Sequence, residues 1–173
     1  MAHTQVENKG IEKCGQDLFN YAVDREDAKT FVMCLPPDSL ADRGRVEYEL
    51  QVLRIITVGW GIAYCLRNSP LKTPLSEFYW TAVRELSQSV SSAAGLMTGK
   101  DIDYFQTLKD RLDFYVAALN RQPGATEPAA VIGPEFAKVC GSGDDVYTVV
   151  SGSKMFAGVI SRVEEYLTTL GLK

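Results

Sequence analysis

The sequence predicts an all-α fold: an antiparallel helical bundle of five main helices plus short helical pieces, around a central buried helix at about residues 46–67. Three observations carry this. Apolar residues recur at steps of three and four through most of the chain, and no useful run alternates with period two. Proline and glycine clusters punctuate those periodic stretches at their ends. Between Val46 and Arg67 the periodicity itself changes. Glu47, Gln51 and Arg54 form a polar wedge, but the same stripe continues as Val58, Gly61 and Cys65, so the second half is apolar all round. A helix with a wet face at one end and none at the other enters a protein interior.

Residues 1–10 read as a flexible polar tail and 11–173 as one domain, a length suited to a single core. The first periodic segment spans Ile11 to Leu35, carries the charged insert D-R-E-D-A-K on its outer face, and is stopped by Pro36-Pro37. After Arg67, Thr73 is placed to cap a helix that opens with Pro74 and stops at Gly99. Leu75, Tyr79, Ala82, Leu86, Ala93 and Met97 form its expected buried stripe, and its second half is built of small residues. Asp101 is expected to cap the next helix, to Arg121, with Ile102, Phe105, Leu108, Leu112, Tyr115, Val116 and Leu119 on one side and Phe114 on the opposite face. The Pro/Gly-rich stretch 122–145 predicts one or two short helices, with Thr126 capping one and Pro134 starting another. The last helix, from about Asp145 to Leu170, has its stripe at Val149, Gly152, Phe156, Val159, Ile160, Val163, Leu167 and Leu170.

Composition excludes several functions. A net charge of −4 with no basic patch disfavours nucleic acid, whose affinity comes largely from Lys and Arg. The apolar run Ile55–Leu66 falls well short of the about 20 residues of a membrane span, and the N-terminus has no secretory core, so the expected location is cytoplasmic. Four cysteines without a C-x-x-C pair read as small core residues in a reducing compartment.

Site chemistry is sparse. The sole histidine is His3, so histidine-dependent triads and His-containing metal bundles have no basis, and no metal or cofactor is expected. The acid pairs Asp101/Asp103, Asp110/Asp113 and Asp144/Asp145 read as helix caps or solvated surface rather than cation ligands. Ser151 and Lys154 have the S-x-x-K spacing of penicillin-recognising enzymes without their companion motifs or β-sheet, so no catalytic residue is assigned.

Glu47, Gln51 and Arg54 read first as a surface stripe at the wet end of the central helix. The competing reading half-buries Arg54 against an acid such as Glu85, where it would bind a carboxylate or phosphate. The aromatic rings read first as core. The glycines flanking Trp60 nevertheless leave room for an apolar pocket lined by Trp60, Tyr64, Phe78 and Tyr79. The leading functional expectation is a non-enzymatic interaction or scaffold protein that forms a homo-oligomer and meets a protein partner. Its expected contact surfaces are the small-residue half of the third main helix (Ser89, Ser92), the face of Phe114 and Ala118, and the Pro/Gly segment. The alternative is a small-ligand-binding bundle.

Overall fold

The computed structural model describes the backbone of residues 2–173 and the side chains of residues 10–173. Among them run seven helices and no strand: α1 (Ala2–Val23), α2 (Glu26–Met33), α3 (Arg43–Cys65), α4 (Lys72–Thr98), α5 (Tyr104–Arg121), α6 (Pro128–Val139) and α7 (Val146–Thr169). The fold is all-α, with five long helices and two short ones, α2 and α6. The helical backbone reaches back to Ala2, while the expected flexible tail at 1–10 falls, apart from Gly10, outside the residues whose side chains are described.

Helix α3 is the hub and packs against α1, α2, α4, α5 and α7. Every residue from Val52 to Gly59 is buried, so two full turns have protein on all sides. This is where the wet stripe of the sequence runs out. Gly59 and Gly61 let neighbours come close. A Cβ on Gly59 would stand 2.4 Å from the Trp80 ring, and one on Gly61 would stand 3.2 Å from Val163. Helices α6 and α7 meet through Gly133 and Gly152 in the same way. A Cβ at position 133 would lie 2.6 Å from the Val149 carbonyl oxygen, a backbone atom that cannot turn aside.

Several expected boundaries shift, each for a local reason. The segment 11–35 is not one helix but breaks after Val23, where Asp24 Oδ1 accepts the Glu26 N–H at 2.9 Å and opens α2. Thr73 does not cap α4, because a turn through Ser69–Lys72 winds directly into the helix. Pro74 then sits in the first turn, where its N–H is not needed. The cap of α5 is Asp103, not Asp101: its carboxylate accepts Gln106 N–H at 2.9 Å while Ser91 Oγ accepts Tyr104 N–H at 3.0 Å. Docking the start of α5 on α4 keeps the preceding residues extended.

Pro134 does not start a helix either. One helix runs through it from Pro128, Thr126 lies outside, and the proline faces solvent, where a missing backbone bond is least costly. Asp145 caps α7 and Gly99 ends α4 in the left-handed conformation, φ 67°. On the stripes, Ala93 and Met97 near the end of α4, Ile102 just before α5, Val116 within α5 and Leu170 at the end of α7 are exposed rather than buried.

Candidate functional site

The polar wedge on α3 has a definite structural task. Breaking α1 from α2 strands carbonyls at the end of α1, and α3 supplies their donors. Arg54 Nε donates to the Tyr21 carbonyl at 2.8 Å and Gln51 Nε2 to the Ala22 carbonyl at 2.8 Å. Arg54 is 1 % exposed, pairs with Asp27 at 2.6 Å and lies 4.2 Å from the centre of the Tyr21 ring. Glu47 completes the ridge by pairing with Arg25 at 2.6 Å. Two further arginines repeat the pattern. Arg43 donates to the Val32, Leu35 and Pro36 carbonyls at the end of α2, and Arg45 to the Val139 carbonyl at the end of α6. The first half of α3 thus ties down the C-terminal ends of three other helices.

This overturns the surface reading of Arg54, while the reading that sets it against an acid holds with Asp27 in place of Glu85. It is neither a surface residue nor paired with Glu85, which is exposed on α4. Its guanidinium is consumed by its own fold. The pocket lining is also divided. Tyr79 is wholly buried, its hydroxyl donating to the Ile55 carbonyl at 2.7 Å, while Phe78 packs over Gly15 of α1. The space expected at the glycines beside Trp60 is filled by Trp80 and Val163.

Trp60 and Tyr64 do border an open groove of about 430 Å³, on the side facing α6 and α7, with Phe156, Ile160, Glu127 and Glu164. Trp60 meets Phe156 edge to face, ring centres 5.5 Å apart.

The expected contact residues separate similarly. Ala118 is buried inside the bundle and offers no free surface, while Phe114 is half-buried against the core, edge to face with Tyr115, and offers only part of its ring. The Pro/Gly segment is largely spent on α6, which packs on α7. Ser89 and Ser92 remain exposed on α4, together with Val90, Ala93, Leu96 and Met97. Leu96 and Met97 are 90 % and 86 % exposed. No charged residue stands between Glu85 and Lys100.

Sequence reasoning missed the buried pair of Glu49 and Arg111. Arg111 holds Glu49 through two bonds of 2.9 and 2.8 Å, and the carboxylate side chain is only 4 % exposed. Burial and the Glu49 charge push the nearby Tyr115 phenol up, and its hydroxyl has no hydrogen-bond partner. The Glu49 signal is weak in the sequence, because an acid amid apolar helix residues resembles a solvated position.

The four cysteines are unpaired. Burial, with the Asp17 charge adding to it, pushes the Cys14 thiol from 9.0 up to about 11; burial and Glu49 push Cys140 up to about 12. Neutral thiols are poor nucleophiles. In the native protein iodoacetamide should therefore label exposed Cys34 first and spare Cys14 and Cys140 until unfolding. Because these folded-state values lie above the unfolded ones, their contribution to stability is complete below about pH 9. It is lost as pH rises through the 9-to-12 window. The urea midpoint should accordingly fall between pH 9 and about 11, and a flat midpoint would contradict burial of the two thiols.

Among the described residues there is no cluster of three or more His, Cys, Asp or Glu side chains arranged to hold a metal, and no helix long and apolar enough to cross a membrane. No protein-family model, curated protein or solved structure matches the chain.

Proposed function

We propose that this is a non-enzymatic interaction protein that self-associates through the exposed face of α4. The observation that carries the reading is the uncharged helix end. Ser89, Val90, Ser92, Ala93, Leu96 and Met97 lie on one contiguous face, all solvent-exposed, with no charge among them. A second copy suits such a face better than a charged partner does, since like meets like without repulsion. Ser89, Ser92 and Ala93 allow close backbone approach, and Leu96 and Met97 gain cover.

Two helix ends alone provide less than the about 800 Å² per partner of a standard interface. The association is accordingly weak and concentration-dependent, extending onto Ile102. A cytoplasmic setting, where thiols stay reduced, accords with four unpaired cysteines.

Sedimentation velocity across a concentration series tests this. A species at twice 19.1 kDa should grow with concentration and vanish in Leu96→Asp/Met97→Asp. A monomer throughout, or a dimer indifferent to both changes, would end the proposal.

The groove at Trp60 and Tyr64 favours a second reading, a small-ligand carrier. Its Glu127 carboxylate and aromatic walls suit an apolar cation, Glu164 being already paired with Lys173. Native mass spectrometry separates the two readings, since excess mass lost on denaturation points to a ligand and whole multiples of the chain point to assembly.

A further inference from the structure

We infer that the groove between α2 and the start of α7 is a docking site for a short amphipathic helix of a partner protein, anchored by apolar side chains and by a carboxylate that reaches Lys154. The groove encloses about 590 Å³. Phe31 and Leu35 lie toward its inner side, and Val146, Tyr147 and Val150 stand 67 %, 54 % and 41 % exposed along α7. This apolar surface lies opposite the buried stripe of α7, so forming the core does not require it.

The shape of the walls selects the occupant. Each wall is a helix, and beyond the first turn of α7 and the last of α2 its backbone groups are bonded within it, so neither wall offers the continuous free edge that an extended peptide needs. An extended chain laid here would bury amides without partners. A helix satisfies its own amides and presents only side chains. The α2 wall has 8 residues, a length of about 12 Å or two turns, which matches apolar anchors at i, i+3 or i+4, and i+7. A second whole copy of this chain is a poorer fit, because so short a slot falls far below the about 800 Å² per partner of a stable dimer.

Charge gives the helix a direction. Asp27, at the rim, is already engaged by Arg54, and the Thr30 hydroxyl donates to the Glu26 carbonyl. Lys154 is exposed and has no acidic partner within 4.0 Å among the described residues. A carboxylate on the incoming helix is the group it accepts.

The test is selection, on the full-length protein, of a displayed library of amphipathic peptides long enough for about three helical turns. Enriched peptides should carry an acid at one end and become helical on binding. They should also lose about tenfold or more in affinity to Val150→Asp and to Tyr147→Asp. Both side chains are substantially exposed, and circular dichroism verifies that each variant folds. Lys154→Glu should reverse the preference for an acid, whereas Leu96→Asp, on the distant α4 face, should leave binding unchanged. The inference is overturned if no peptide is enriched, if binders ignore both aspartate variants, or if they bind extended. A self-association abolished by Val150→Asp would also overturn it by placing a second copy in the groove.

Discussion

Arg111→Met is expected to destabilise the protein by about 3–5 kcal/mol, the cost of leaving a buried charge without its partner. The asymmetry of the pair makes this prediction specific. Glu49 has a side chain only 4 % exposed, whereas Arg111 is 28 % exposed and lies at the bundle margin. Removing the arginine strands a carboxylate where water cannot reach it, beside a phenol that already lacks a hydrogen-bond partner. Removing the acid leaves a guanidinium that water can partly serve. Glu49→Gln should therefore cost less than Arg111→Met. The double variant Glu49→Gln/Arg111→Met should be more stable than Arg111→Met alone, by urea unfolding. A double variant no better than the single one would show that the loss comes from packing rather than from a stranded charge.

Arg54→Ala should cost a similar amount, about 3–5 kcal/mol, but for a different reason. Its counter-ion Asp27 is 57 % exposed and becomes solvated once released, so the ion pair contributes little to the loss. What is lost is a large side chain packed on the Tyr21 ring and the donor to the Tyr21 carbonyl at the end of α1. Arg54→Lys should recover less than half of the stability, because one ammonium cannot reproduce the planar fork that serves the carbonyl and Asp27 together. If Arg54→Ala cost under about 1 kcal/mol, the α1–α2 break would be held by something other than α3. Amide hydrogen exchange in α2 supplies a second readout, since loss of the latch should release that helix first.

The residues whose reading failed share a physical character. Arg54 looked like a surface residue because arginine commonly is one. Its burial depends on carbonyls freed more than thirty positions earlier by a helix break that the periodicity of 11–35 does not register, since α1 and α2 bury compatible faces across it. The cap of α5 moved from Asp101 to Asp103 because Ser91 on another helix fixes where that helix starts. Ala93 and Met97 follow the buried stripe of α4 in sequence, yet they lie where α4 has run past its neighbours. Ala118 shows the opposite failure: small and inconspicuous, it is fully enclosed. Of the imagined pocket, Trp60 and Tyr64 share a groove, while Phe78 and Tyr79 point into separate helix contacts.

By itself the sequence determined the all-α class, the approximate extent of α3, α4, α5 and α7, and the central place of α3. Helical periodicity and proline or glycine breaks are local signals, and an apolar circumference can only be satisfied inside a core. The tertiary structure alone decided the partner of each buried charge, how the space beside each glycine is filled, and which apolar faces stay open. Each of these depends on atoms brought together from distant parts of the chain. Glu47, Gln51 and Arg54 read identically as a wet stripe or as a latch until the end of α1 is set against them.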